Sequence, residues 1–162
     1  MNRPVYENAT TLEREGKLLD IFIKSTENYH ALRLQPYAIQ MCKLPISYRL
    51  DFGIFHYESG ELVGLAELKC RNYNFGDFST FSISAGKFNA AIQLQQSLDV
   101  PVYFVVGWKD KNVLYTLFPD YTKVGKEKFV TKWGGRHDRD DIGDMEPMVH
   151  IPNNHFREII NE

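Results

Sequence analysis

Between Ser47 and Cys70 the chain reads SYRLDFGIFHYESGELVGLAELKC, and the order of apolar, charged and turn residues in this stretch decides the fold. Its first part, Ser47 to Tyr57, reads as a strand with Tyr48, Leu50, Phe52 and Ile54 alternating onto one face and Asp51 onto the other. Glu58, Ser59 and Gly60 carry a turn signal, and ELVGLAELK follows as a second strand, so the pair is a β-hairpin. A three-residue loop with Gly60 in the left-handed region pairs Tyr57 with Glu61 and, stepping inward, Asp51 with Glu67. Lys69 shares the Glu67 face because strand side chains repeat with period two.

Working outward, Leu12, Leu19, Phe22 and Ile23 recur at helical spacing and predict an amphipathic helix from Thr11 to Ser25, with Thr10 or Thr11 able to cap it. Tyr37 to Lys43 reads as a first strand, ended by the Leu44-Pro45 step. On the other side, Arg71 to Phe81 is rich in aromatic, Gly and Asn residues and reads as a loop. Phe88, Ala91, Ile92, Leu94 and Leu98 make the apolar stripe of a second helix, Ser84 to Leu98, stopped by Asp99 and Pro101. PVYFVVGW from Pro101 has the near-continuous apolar character of a buried strand, and NVLYTLF from Asn112 pairs back onto it through Lys109 to Lys111. Beyond Pro119 the chain turns polar and closes on a candidate edge strand near Met148 to Ile151. The expected fold class is therefore α/β: a mixed central β-sheet flanked by helices, one domain over residues 1–162 with a core at 11–118 and a C-terminal extension over 119–162.

Composition narrows the function classes. Hydrophobic residues make up 43% and charged residues 25% of the 162, an ordinary globular balance. No apolar run approaches the roughly 18 residues of a membrane span, and MNRPVYENATT lacks the apolar stretch of a secretion signal, so a cytoplasmic location is expected. Cys42 and Cys70 are too few for a disulfide framework and lack zinc-site spacing, so both read as reduced. His30, His56, His137, His150 and His155 show no ligand spacing either. The net charge of −2 supplies no global basic field for nucleic acid, although the phosphate backbone responds to local charge.

Two carboxylates and a lysine on one hairpin face carry the chemistry. Asp51 directly opposite Glu67 destabilises the hairpin by up to ~1 kcal/mol unless a cation lies between them. Hard carboxylate oxygens select Mg²⁺ or Mn²⁺, which also take substrate phosphate, and Lys69 then positions a water or neutralises developing charge. The plainer alternative is an exposed Glu67–Lys69 ion pair worth at most ~1 kcal/mol. Val63 to Leu68 is otherwise apolar on both faces, however, which argues for a partly buried Glu67 in need of a partner.

This helix, an Asp strand reading LDFG, a Glu-x-Lys strand reading AELK, then helix and strand, resembles the PD-(D/E)XK nuclease superfamily and its small phage and restriction-type members. The resemblance covers Thr11 to Trp108 and implies an αβββαβ restriction-endonuclease-like core; Leu50 stands where the motif name has Pro. It implies Asp51, Glu67 and Lys69 as catalytic residues, with Asp51, Glu67 and the Leu68 backbone carbonyl as metal ligands. It further implies an acidic residue on the first helix and a Lys on the second. Lys87, at the edge of the apolar stripe, fits the second role. Glu15 fits the first better than Glu13, since it lies beside Leu12, Leu18 and Leu19, whereas Glu13 shares its face with Lys17 and Asp20. The implied activity is divalent-metal-dependent hydrolysis of phosphodiester bonds in DNA, in a host cytoplasm for a phage-encoded member. A structure-selective, junction-resolving nuclease and a non-catalytic nucleic-acid-binding module on the same fold are the rival readings.

Away from the hairpin, Lys123, Lys126, Lys128, Lys132 and Arg136 cluster with Phe129 and Trp133, a candidate phosphate-tracking surface led by Lys126, Lys128 and Lys132. The acidic stretch Asp138, Asp140, Asp141, Asp144 and Glu146 lacks the Gly and Glu positions of an EF-hand and reads as a solvated loop. A single small active site addresses one strand at a time, so a homodimer or partner subunit is expected where both strands of a duplex are cut.

Overall fold

The computed structural model describes residues 9–28, 39–111, 114–118, 129–135 and 145–159. In chain order the elements are α1 (Ala9–Asn28), β1 (Ile39–Lys43), β2 (Phe52–His56), β3 (Leu62–Cys70), β4 (Thr80–Ser84), α2 (Ala85–Leu98), β5 (Val102–Gly107), β6 (Leu114–Phe118), β7 (Val130–Gly134), β8 (Glu146–Pro152) and β9 (Arg157–Glu158). Six strands form the main sheet in the order β1-β2-β3-β5-β6-β9, and a second sheet has the order β4-β8-β7. At the centre of the main sheet β3 and β5 run parallel, joined by the segment that contains α2, while its other neighbours are antiparallel. This is the mixed sheet the hydrophobic pattern predicts.

Period-two alternation sorts the central strands onto two faces. On one face Ala66 and Leu68 of β3 and Tyr103 and Val105 of β5 pack with Ile54 of β2 and with Leu18 and Phe22 of α1. On the other, Leu65, Val102, Phe104 and Val106 meet Phe88 and Ala91 of α2, Phe81 and Ile83 of β4, and Val149 and Ile151 of β8. Every residue of β5 is buried, which is why its sequence is apolar without alternation. No helix among the described residues is long and apolar enough to cross a membrane.

Several expectations are corrected. The strand expected from Ser47 starts only at Phe52, because Ile46–Tyr48 forms one 3₁₀ turn and Arg49 follows in the left-handed region at φ 59°. Tyr48 is accordingly 47% exposed and leaves the core stripe, although Leu50 stays buried. The loop expected over Arg71 to Phe81 is shorter, since TFSIS, with Phe81 and Ile83 buried between half-buried serines, is strand β4. The candidate edge strand near Met148 is instead β8, the middle strand of the second sheet, flanked by β4 and by β7, which the sequence reading lacks. Strand β4 alternates in burial whereas β7 is exposed along most of its length, and the partner of β4 is distant in sequence, which local pattern does not register. Helix α1 runs beyond Thr11–Ser25 at both ends, while α2 ends as expected at Asp99, a left-handed cap whose N–H donates to the Gln95 carbonyl. Leu98 is 44% exposed and falls outside the apolar stripe. Tyr37 and Pro119 lie outside the described residues.

The central position of β8 has a direct consequence. Ile151, 1% exposed, packs into the cluster that joins β8 to Phe81 and Phe104. Ile151→Ala should therefore lower the free energy of unfolding in urea by about 2–5 kcal/mol. A loss under about 0.5 kcal/mol, the range of a surface position, would contradict that placement.

Candidate active site

Because Ala66 and Leu68 turn toward α1, Glu67 and Lys69 project from the opposite face, toward α2. Glu67 is completely buried. Isolated burial of a carboxylate is costly, and two ammonium groups answer it: Lys69 Nζ stands 2.8 Å from Glu67 Oε1, and Lys87 Nζ, from the first turn of α2, donates to the same oxygen. Both lysine side chains keep about a third of their surface in solvent, at 31% and 32%. The other oxygen, Oε2, is buried without a hydrogen-bond partner among the described residues. Burial alone would lower the Lys69 pKa, but the Glu67 and Asp51 charges and the Glu67 hydrogen bond outweigh it and the opposing Arg71 charge, so the pKa rises. Lys69 is an ammonium at neutral pH.

Asp51 precedes β2 by one residue. The observed pairs Phe52↔Ala66, Gly53↔Leu65 and Ile54↔Gly64, continued by one step, bring Asp51 level with Glu67. The loop end differs from expectation: His56 N–H donates to the Glu61 carbonyl at 2.8 Å, so Glu61 is met by His56 and not by Tyr57. The displacement is undone at a bulge, where Ile54↔Gly64 is followed by Phe55↔Leu62 and Val63 is the extra residue. Gly60 does take the left-handed conformation, at φ 70°. Half-buried Asp51 uses Oδ2 to accept the Leu68 N–H at 3.0 Å. The N–H and C=O of one strand residue point to the same edge. The amides of Leu65 and Arg71 bond to the β5 side, at Pro101 and Gly107. By that alternation the Leu68 carbonyl points to the Asp51 side, past the end of the β2 ladder. The Asp51 carboxylate and the Leu68 carbonyl thus border one corner, with Glu67 level with Asp51 in the register, a set of hard oxygens suited to a divalent cation.

Other candidates sit elsewhere. Glu13 is exposed and ion-paired with Lys17 at 2.7 Å, whose hydrogen bond and charge hold its carboxyl below the usual range. Glu15 is half-buried on the inner side of α1, one turn from Leu18. Its charge reaches Cys70, whose thiol is pushed up by burial first and by Glu15 in addition, against Arg14 and the lysine and arginine beside it. Cys70 belongs to the α1 face, so Glu15 approaches β3 from the side opposite Glu67. Among the described residues, no three His, Cys, Asp or Glu side chains converge as a ready metal cage. The expected set is therefore split: Asp51, Glu67 and Leu68 share a corner, and Glu15 lies across the sheet. Lys87, the expected lysine of the second helix, reaches over the sheet to Glu67. Lys126, Lys128 and the acidic stretch from Asp138 to Asp144 lie outside the described residues, while Lys132 is exposed on β7 beside Trp133, itself 67% exposed. Cys42 and Cys70 are both free thiols, as expected. Arg71 was not anticipated. It continues the Glu67, Lys69 row by period two, donates to the Ser82 carbonyl at 3.0 Å and lies 4.8 Å over the Phe81 ring.

Removing the last counter-charge of a buried ion costs about 3–5 kcal/mol. With either lysine still on Glu67, Lys69→Met or Lys87→Met alone should cost about 1 kcal/mol, as for part-exposed pairs. The double variant should exceed the sum of the two by at least about 0.5 kcal/mol in a double-mutant cycle run by urea unfolding in EDTA. Strictly additive losses would mean that the lysines do not share Glu67.

The order α1, β1, β2, β3, α2, β5 is αβββαβ with β4 inserted. Residues 1–159 match the family model described as "Phage putative PDDEXK endonuclease". No curated protein and no solved structure matches the chain. With the core order of a restriction-endonuclease-like fold, Asp51 and the Glu67-x-Lys69 pair at one corner and a family match over nearly its whole length, the chain belongs to the phage PD-(D/E)XK endonuclease family.

Proposed function

We propose that this nuclease hydrolyses phosphodiester bonds in DNA with Mg²⁺ or Mn²⁺, and that Asp51, Glu67 and Lys69 carry the chemistry. The observation behind the reading is Glu67, a fully buried carboxylate whose Oε2 has no hydrogen-bond partner among the described residues, level with Asp51 in the hairpin register. An unsatisfied buried acceptor of this kind costs about 1–3 kcal/mol or more, and a cation held by these oxygens removes that cost. When bound, a divalent ion supplies Lewis-acid polarisation of the phosphate and acidifies water.

The chain's own groups do the rest. Asp51, by holding the Leu68 N–H, fixes the peptide whose carbonyl borders the corner. Lys69, being protonated, serves as a donor to a phosphate oxygen or to the attacking water and stabilises the charge that develops there. Lys87 shares Glu67 with Lys69, so two ammonium groups stand at the corner, and either could turn to substrate phosphate if Glu67 were to ligate a metal. Glu15 is left outside this set because it approaches from the α1 face. One active site addresses one strand, so cutting both strands of a duplex takes a second copy or a partner subunit, in the cytoplasm of a phage host.

Asp51→Asn, Glu67→Gln and Lys69→Met should each lower cleavage of a labelled DNA by about a hundredfold or more with Mg²⁺ saturating, while far-UV circular dichroism keeps the wild-type spectrum. Wild-type rates in any two of them would remove the assignment. The lysines also compete with the metal for Glu67. Lys87→Met should therefore tighten Mn²⁺ binding in calorimetric titration without DNA, by about tenfold for each 1.4 kcal/mol of repulsion relieved. Weaker binding would instead make Lys87 a support of the metal site.

A further inference from the structure

We infer that the groove between the Ile46–Arg49 turn and α2 holds the sugar-phosphate backbone of the nucleic-acid strand beside the bond being cut, an inference that rests on the nuclease reading above. The groove encloses about 500 Å³. Arg49 and Tyr48 form one wall, and Asn89, Gln93 and Ser97 of α2 form the other. These three recur four residues apart and so make one stripe along the helix. Asn89 lies two residues after Lys87, and Arg49 lies two residues before Asp51, so both walls of the groove are built on the segments that carry residues of the corner.

Its chemistry suits a polyanion. No lining residue is acidic, and α2 as a whole, AGKFNAAIQLQQSL, carries no Asp or Glu, although the chain has 21. A face that only had to be solvated would carry charges of both signs. Amide and hydroxyl groups at helical spacing can donate to successive phosphate oxygens, Arg49 adds a fork of N–H donors, and the half-exposed Tyr48 ring offers a surface for a sugar or base. Ala90 and Leu94 add a small apolar floor between these polar walls, against which a sugar ring can lie.

Arg49 supplies an independent observation. It holds φ 59°, ψ 5°, a conformation that glycine adopts without penalty and that a long side chain adopts only under constraint. Its N–H closes the turn by donating to the Ile46 carbonyl at 3.0 Å, a bond that glycine would make equally well. The fold therefore carries strain at a position where the turn alone does not require arginine. Gly86 complements it, since a Cβ there would lie 3.4 Å from Arg49 Nη1. The bare helix start leaves room for the guanidinium to lie against it.

Strain and binding should separate in Arg49→Gly. In fluorescence anisotropy with a labelled DNA duplex, in EDTA to prevent cleavage, affinity should fall about five- to tenfold and the slope of log K against log salt should lose about one phosphate contact. The melting temperature should be unchanged or higher, which a merely structural arginine would not produce. Gln93→Glu, on the groove stripe, should weaken binding as well, whereas Gln96→Glu, exposed on the same helix but outside the groove, should not. Unchanged affinity and slope in Arg49→Gly, with wild-type protein binding normally, overturns the groove alone. Wild-type protein that binds no DNA in EDTA or with Ca²⁺, and cleaves none with Mg²⁺ or Mn²⁺, overturns the nuclease reading together with it.

Discussion

The burial of the Glu67 carboxylate is the constraint around which the active corner is arranged. A charge at zero exposure in the central strand is tolerated only with counter-charges in reach. One comes from two residues along the same strand, and the other requires α2 to begin where it does, with Lys87 in its first turn over β3. The apolar residues beneath, Phe88 and Ala91 against Leu65 and Phe104, hold α2 at that level. Packing and electrostatics therefore specify the same placement: a shift of α2 along the sheet would both open the core and strip Glu67 of a partner.

The hairpin solves a second problem, bringing Asp51 to the level of Glu67. A loop one residue longer than the simplest closure displaces the ladder, and the extra residue Val63 returns it before the site is reached. A hairpin with either deviation alone would carry Asp51 to the opposite face of the sheet, because each single-residue slip inverts side-chain direction. Expected repulsion between the two carboxylates is met by the ammonium groups and by the Leu68 N–H, which gives Asp51 a partner of its own. The resting site is thus charge-compensated, with one Glu67 oxygen, Oε2, left without a hydrogen-bond partner among the described residues.

The αβββαβ core and the trio Asp51, Glu67 and Lys69 were legible because they rest on local pattern: an apolar strand interrupted by AELK, a turn at Gly60 and a helix stripe ended at Asp99. Register at the site was legible too, although the loop that sets it was not, since two compensating irregularities leave no trace in alternation. What escaped was non-local or stereochemical. TFSIS and VTKWG pair through β8, some seventy and fifteen residues away respectively by the registers Thr80↔Pro152 and Lys132↔Met148. The break of strand at Arg49 depends on a left-handed residue that no composition rule assigns to arginine. The facing of Glu15 toward the sheet followed from helical periodicity, but which side of the sheet α1 covers did not. That is a property of the chain's path and not of the helix.

Net charge is a poor guide to such a molecule. The total of −2 argues against affinity for a polyanion only if charge is spread evenly. Here Lys69, Lys87 and Arg71 stand on one face of the sheet around Glu67, and Arg49 lies two residues from Asp51, while α2 contributes no acid. On the proposed reading the two carboxylates at the corner are the groups that would hold a metal, and Glu67 is also the residue on which Lys69 and Lys87 meet. If a metal and substrate phosphate both draw on this cluster, their affinities would be linked through one shared residue, Glu67, and the coupling would be reciprocal: phosphate that drew the lysines away would leave Glu67 freer for the cation.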